Sequence, residues 1–314
     1  HACACRRVML VSAPHPASGV IVALGNFDGV HLGHRALIQT ASAVGRRSER
    51  GFVAAVFEPH PRRFFNPDAP PFRLQTPAQR ARGLRALGVE DVIVIAFDAA
   101  LAALSGRAFA EQVLVNQIGV AHVCVGADFR FGEKRKSDAA ELARLGGELG
   151  FGVTAIAPLE AAGAKYSSSA IRAAIVAGDV ELAAAMLARP WAIEGEVAPG
   201  FARGRSFGFP TANLALGDYL RPKLGIYAVR VLAGGHIHDG VASVGINPTF
   251  GGLPEPVLEV HIFDFERDIY GETLEVSFIA YLRVEAKFDD IEALKAQMAL
   301  DCRQAREKLA AASW

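Results

Sequence analysis

Between Gly19 and about Gly163, short apolar runs alternate with longer stretches in which Ala, Leu and Arg recur at helical spacing. The runs are GVIVALG, FVAAVFEPH, VEDVIVIAF, AHVCVGADF and FGVTAIAPL, and HRALIQTASAVGRR, TPAQRARGLRALG, GRAFAEQVLVNQIG and AAELARLGGELG stand between them. Runs that are apolar throughout belong to strands buried on both faces, and strands separated by helices join in parallel. The pattern predicts a doubly wound, parallel-sheet α/β domain. Ligands of such sheets lie beyond the carboxyl ends of the strands, which singles out GNFDGVH, EPHP and VGADFRFG.

After the helical AIRAAIVAG and DVELAAAMLA the pattern changes at Trp191. EGEVAPG, GIYAVRVLAG, HDGVASVG, VLEVHIFDF and LEVSFIAYLR alternate or nearly alternate, with Gly, Pro and Asn-Pro between them and no intervening helix. That predicts an antiparallel β-barrel or sandwich. The closing stretch FDDIEALKAQMALDCRQAREKLAA begins with aspartates and spaces Ile291, Leu294, Met298 and Cys302 as an amphipathic helix. The fold class is therefore α/β plus β, with domains over 1–187 and 188–314.

A chain of 314 residues can hold two such domains. Its 33 Lys and Arg balance 33 Asp and Glu, so no global field draws nucleic acid or an anionic membrane, and any anion must be bound by local arrangement. Cys3, Cys5, Cys124 and Cys302 have neither metal-ligand spacing nor the density of a disulfide framework, which fits a reducing, cytoplasmic setting. Cys3 and Cys5 could chelate a metal with His1, but the run reads as a disordered terminus. No apolar stretch reaches the roughly twenty residues of a membrane span, and the apolar core of RRVMLVSA is too short for a signal peptide. The expected partners are small molecules, with no nucleic acid and no membrane; self-association stays open.

GNFDGVHLGH, residues 25–34, follows the first strand, and a helix is expected to begin near His31 or Leu32. The free N–H groups of a first helical turn form an anion site, and His31 and His34, three apart, project from one face of it. Two imidazole donors there suit the charge that develops on a phosphate undergoing displacement, while Gly29 and Gly33 permit close approach of a ligand. The serines of SSSAIR precede a helix as N-caps, and Arg172 in its first turns can reach a phosphate. Asp128 in VGADFRFG stands at a strand end, as a buried structural group or a ligand contact. Phe57 and Phe64 offer either core packing or a stacking face for a ring.

In the second domain GFARGRSFGFPTANL, 200–214, is a glycine-punctuated loop with two arginines, suited to polyphosphate but equally to a barrel turn. In extended chain Thr211 and Asn213 point to one side and present hard oxygen ligands of the kind Mg2+ prefers. In VLEVHIFDF alternation places Glu259, His261, Phe263 and Phe265 on one face and Val260 and Ile262 on the other. Glu259 is either a solvated strand residue or a general base for a primary alcohol.

GNFDGVHLGH resembles the HxGH nucleotidyltransferase motif in the form used by bacterial bifunctional riboflavin kinase/FMN adenylyltransferases, the FAD synthetases. FEPHPRRFF, VGADFRFG, YSSSAIR, GRSFGFPTANL, VLEVHIFDF with DIYGE, and YLRVEAKF occur in the family's order between Val20 and Arg306. The resemblance implies a Rossmann-like FMN adenylyltransferase domain followed by a riboflavin kinase barrel, using ATP with Mg2+ and taking riboflavin and FMN to FAD. It implies that His31 and His34 act at the α-phosphate, with Gly25, Asn26, Phe27, Asp28 and Gly33 around the nucleotide and Asp128 in contact with it. Ser168, Ser169 and Arg172 match the element that holds the ATP triphosphate. Gly200, Gly204, Arg205, Gly208 and Pro210 belong to the kinase's ligand loop, Thr211 and Asn213 hold Mg2+, Glu259 is the base and Arg283 lies near the flavin.

Three departures stand out. Ser137 replaces a glycine common after FGxxR, Ala188 stands where many relatives have glycine, and Ile246 with Asn247 occupies a place where many have arginine. Two rival readings remain: a nucleotidyltransferase acting on another phosphorylated acceptor, against which the PTAN barrel argues, and a nucleotide- or RNA-binding protein that has lost catalysis. Zero net charge and intact motifs weigh against RNA.

Overall fold

The computed structural model describes residues 19–161, 164–198, 209–246, 256–288 and 290–314. Packing divides the chain into two compact units: one runs to Ala69 and resumes over Pro77–Tyr166, and the other comprises Pro70–Thr76 and Ser167–Trp314.

The first unit runs β1 (Val20–Leu24), α1 (Leu32–Ser48), β2 (Phe52–Glu58), α2 (Pro61–Phe65), α3 (Pro77–Arg85), β3 (Val92–Ala96), α4 (Ala99–Ala102) and α5 (Gly106–Phe109). A π-helical stretch, Ala110–Ile118, leads to β4 (Val120–Gly126), the short hairpin β5 (Arg130–Phe131) and β6 (Ser137–Asp138), α6 (Ala139–Leu149), β7 (Gly152–Ile156) and a second short hairpin, β8 (Glu160–Ala161) and β9 (Ala164–Lys165). Five of these strands form a parallel sheet in the order β3-β2-β1-β4-β7. Its central strand β1 is apolar throughout because both faces are covered. Val20, Val22 and Leu24 pack with Phe109, Leu114 and Leu142 on one side, and Ile21 and Ala23 pack with Leu37, Ile38 and Leu84 on the other. Burial of such side chains contributes roughly 1.5–3 kcal/mol each, so the end of β1 is a firmly held base for the loop that follows. The strand order reverses between β1 and β4, which makes their carboxyl ends the switch point where open α/β sheets bind ligands.

The second unit contains α7 (Ser168–Ala177), α8 (Val180–Leu187), β10 (Trp191–Ala198), β11 (Ala212–Ala215), β12 (Gly225–Ala233), β13 (His236–Ile246), β14 (Pro256–Ile262), β15 (Thr273–Arg283) and α9 (Ile291–Ala311). The six strands close into an antiparallel barrel in the order β10-β11-β14-β13-β12-β15. Trp191, Tyr227 and Phe278 fill it, with the Phe278 ring centroid 5.0 Å from each of the other two. On the outside, Ala305 and Leu309 of α9 pack on Ala228, Ile279 and Ala280. The stripe expected from Ile291 onward is thus displaced along the helix: Ile291 is exposed, and the buried positions are Asp301, Ala305 and Leu309.

Two features depart from the sequence pattern. The helices α7 and α8 precede the change at Trp191, yet α8 packs on β10 and β15 and both helices group with the barrel. The segment 70–76, from the middle of the α/β pattern, also belongs there: Trp191 Nε1 donates to Leu74 O at 2.7 Å, Leu220 N donates to Arg73 O, and Phe72 and Leu74 are buried. Ala188 ends α8 in the left-handed region, φ 53° and ψ 33°, with its N–H bonded to Ala184 O. That is the conformation glycine adopts without strain, which fits the expectation of glycine at this place.

Candidate functional site

In the first unit the residues from Gly25 to His34 form one local structure. Gly25 N donates to Ala55 O of β2, and a tight turn closes with Val30 N donating to Phe27 O at 3.1 Å. Phe27 and Val30 have φ of 52° and 47°, and Gly29 has 95°. For a non-glycine residue that conformation costs about 1–2 kcal/mol, offset here by complete burial of both side chains. Asp28 is buried beside them.

His31 is the N-cap of α1: its Nδ1 accepts from His34 N at 3.3 Å. An imidazole accepting at Nδ1 carries its proton on Nε2 when neutral, so the cap orients a donor. The His31 and His34 rings stack with centroids 3.6 Å apart, and Phe27 meets His34 edge-on at 5.2 Å. A Cβ at Gly33 would lie 3.1 Å from the His31 ring, so a larger residue there would make the ring give by a few tenths of an ångström. The structure therefore brings Gly25, Asn26, Phe27, Asp28, His31, Gly33 and His34 together at the carboxyl end of the central strand and the N-terminus of a 17-residue helix. The helix dipole and the aligned donors make this a place for a negatively charged group.

Asp128 follows β4, across the switch point from β1. It is exposed rather than buried, because the chain turns outward after Gly126, and Lys165 Nζ lies 2.6 Å from its Oδ2. Ser137 is held in the β5–β6 hairpin opposite Phe131 and packs on Gly106, where any Cβ would collide with it. Phe57 is a core residue, edge-on to Phe97, and Phe64 and Phe65 also meet Phe97 edge-on at 5.3 and 5.7 Å. Burial pushes the Cys124 thiol up to about 11 and raises that of Cys302, so neither is a ready nucleophile. One residue escapes a reading of the sequence. Arg80 looks like one more basic residue of TPAQRARGLR, but it is buried, bonded to Glu58 and to the carbonyl of Asn26.

Ser168, Ser169 and Arg172 fall in the second unit. Ser167 is the cap of α7, accepting from Ala170 N, which places Ser168 and Ser169 in the first turn. Arg172 Nε donates to Phe72 O at 2.8 Å, and its guanidinium lies over the Phe72 ring.

On the barrel, Asn213 of β11 stands directly opposite Glu259 of β14, and Ser243 of β13 stands opposite Glu259 on its other side. Ala212 and Leu214 are buried while Thr211 and Asn213 are half-buried, so these two share the outward face with Glu259 and His261. His261 Nδ1 is 2.9 Å from Pro210 O, and since a carbonyl only accepts, that nitrogen carries the proton. Ser243 Oγ also donates to Glu285 Oε1 at 3.4 Å; neither residue stood out in the sequence. A pocket of about 360 Å³ opens beside Thr211 and Pro210, with Val260, Ile262 and Phe265 in its wall. Phe263 leaves the face alternation assigned to it, because β14 ends at Ile262 and the turn buries Phe263 against α9.

The donor set suits Mg2+ shared with phosphates. Thr211 and Asn213 supply hard oxygens, and among the described residues no cluster of three or more His, Cys, Asp or Glu could cage a metal alone. Arg283 Nε and Nη2 grip the two oxygens of buried Asp301 at 2.7 and 2.6 Å, tying α9 to the barrel. Gly200, Gly204, Arg205, Gly208 and Asn247, like His1, Cys3 and Cys5, lie outside the described residues.

Comparison with known proteins agrees with the two-part construction. Residues 13–170 match the family model for FAD synthetase, and residues 187–309 match that for riboflavin kinase. The chain is 39% identical over 293 residues to the bifunctional riboflavin kinase/FMN adenylyltransferase of Escherichia coli K12, covering 93% of each. It is 40% identical to that of Pseudomonas fluorescens, covering 92% of each, and 38% identical to that of Bacillus subtilis, covering 91% of each. A crystal structure from Streptococcus pneumoniae, described as a macrolide-efflux protein, superposes with a TM-score of 0.84 at 34% identity, over 93% of this chain and 95% of that one. Among the described residues no helix is long and apolar enough to cross a membrane.

Proposed function

The chain belongs to the bifunctional riboflavin kinase/FMN adenylyltransferase family, and we propose on that premise that it phosphorylates riboflavin to FMN and then adenylylates FMN to FAD. Residues 188–314 carry the first step and residues 1–187 the second. The observation that carries this reading is the in-register pair Asn213 and Glu259 beside Thr211, a metal-phosphate donor set next to a carboxylate base.

In the kinase step Glu259 takes the proton of the ribityl 5'-hydroxyl as that oxygen bonds to the γ-phosphorus of ATP and the bond to the β-phosphate oxygen breaks. Thr211 and Asn213 would hold Mg2+, which would neutralise charge on the phosphates. Gly200, Gly204, Arg205, Gly208 and Pro210 bind ATP and flavin. Arg283 fixes α9 through its pair with Asp301.

In the adenylyl step a phosphate oxygen of FMN bonds to the α-phosphorus of a second ATP and pyrophosphate leaves. His31, through Nε2–H, and His34 donate to the α-phosphate as its charge rises. Gly25, Asn26, Phe27, Asp28, Gly33 and Asp128 hold the nucleotide, and Ser168, Ser169 and Arg172 hold its triphosphate. Positioning and charge neutralisation supply the catalysis, and no covalent enzyme intermediate is needed. The partners are riboflavin, FMN and ATP, in the cytoplasm, without nucleic acid.

The test is incubation of the purified chain with riboflavin, ATP and Mg2+, with flavins separated by chromatography. FMN is expected first and FAD after it; riboflavin left unchanged would refute the reading.

A further inference from the structure

Arg80 on α3 is only 4% exposed, although its side chain ends in a guanidinium. Nη2 is 2.7 Å from Glu58 Oε1 at the carboxyl end of β2, and Nη1 donates to the main-chain carbonyl of Asn26 at 3.2 Å. Nε of Arg80 and Oδ1 of Asn26 are both buried with no hydrogen-bond partner among the described residues. Taking a charged pair out of water costs more than its attraction returns unless the remaining donors and acceptors are matched. Here Arg80 Nε is not, so added stability does not explain the pair.

What the pair fixes is a peptide plane. In a trans peptide the carbonyl of one residue and the N–H of the next point in opposite directions, so a grip on Asn26 O sets the direction of Phe27 N–H. It also sets the entry to Phe27, whose left-handed φ starts the turn that ends at the His31 cap.

We propose that Arg80 is a positioning residue for adenylyl transfer: with Glu58 it clamps the Asn26–Phe27 peptide and so holds the loop leading to His31 and His34 in its reactive geometry. The proposal rests on the adenylyltransferase reading of that loop. The test is steady-state kinetics of FMN adenylylation by the full chain carrying Arg80→Gln, Arg80→Lys or the double change Arg80→Gln/Glu58→Gln. Arg80→Gln should lower kcat about 10- to 100-fold while KM for ATP moves less than about threefold, with riboflavin phosphorylation unchanged. Arg80→Lys keeps a charge against Glu58 but loses the fork, so it should restore Tm and only part of kcat. The double variant removes both charges and should melt near the wild type while keeping the low kcat of Arg80→Gln, a split that a merely structural role would not produce. Wild-type kcat in Arg80→Gln, or kcat recovering together with Tm in the double variant, overturns the proposal. His31→Ala separates the two levels: if it makes FAD at the wild-type rate, the reading of the loop itself fails, whatever Arg80 does.

Discussion

Asn213 and Glu259 are directly opposed residues of neighbouring antiparallel strands, so their side chains leave the same face of the sheet with Cβ atoms about 5 Å apart. An amide oxygen beside Thr211 and a carboxylate are thereby held at one place by main-chain hydrogen bonds rather than by loop conformation. Glu259→Gln keeps the size of the side chain and removes the base. Riboflavin phosphorylation should fall by roughly 10²- to 10⁴-fold, with conversion of supplied FMN to FAD unchanged. Chromatography of the two reactions run separately reads both; a loss of adenylyl transfer in folded protein would break the proposed division of labour.

The contact of Gly33 with His31 gives a complementary prediction for the other half. A methyl at residue 33 would press on the His31 ring from 3.1 Å and shift it by a few tenths of an ångström against His34. Gly33→Ala should therefore lower adenylyl transfer, by less than the roughly 100-fold that a displacement of 1 Å costs, and spare phosphorylation. Because the change sits in the first turn of a helix, where alanine is well tolerated, Tm should hold. A variant with full FAD synthesis would show that the stacked geometry is not the working one.

How much of this was legible in the sequence depends on whether a feature is local. VIVAL announces a strand buried on both faces, and the structure buries all five residues. His31 marks the start of α1 because an N-cap is a one-residue signal. Thr211 and Asn213 share a face for the same reason any i, i+2 pair does. Long-range packing has no such signature. The segment PPFRLQT shows no periodicity, yet Phe72 and Leu74 are buried in the second unit. Arg80 reads as a surface cation until Glu58 and Asn26 are brought to it. Asp301 breaks the apolar stripe of α9, and only the arrival of Arg283 from β15 explains a carboxylate there.

His122 on β4 lies 2.8 Å from Thr154 Oγ1, and burial, helped by the charge of Arg47, lowers its pKa below the ordinary value of 6.5. The unfolded chain then binds more protons than the folded one near that value. This contribution to stability is intact above pH 6.5 and is lost as pH falls toward and through the lower folded pKa. His122→Gln removes the titration while keeping a polar group for Thr154. Its Tm should fall less than that of the wild type between roughly pH 7.5 and pH 5.5. Parallel curves for the two proteins would sink the assignment.

Arg283 offers the sharpest separation between a binding role and a structural one. Asp301 is almost wholly buried, and besides Arg283 it accepts from Gln297 Nε2 at 2.9 Å. Arg283→Ala leaves that carboxylate buried without its cation, which should cost about 3–5 kcal/mol in urea unfolding. Replacing both, as Arg283→Met with Asp301→Leu, removes the buried charge and should return most of the loss. If the arginine served only to hold α9, the double variant should also keep the wild-type KM for riboflavin. A double variant that is stable but binds riboflavin poorly would instead restore Arg283 to the flavin site, with Asp301 as the group that holds it in place.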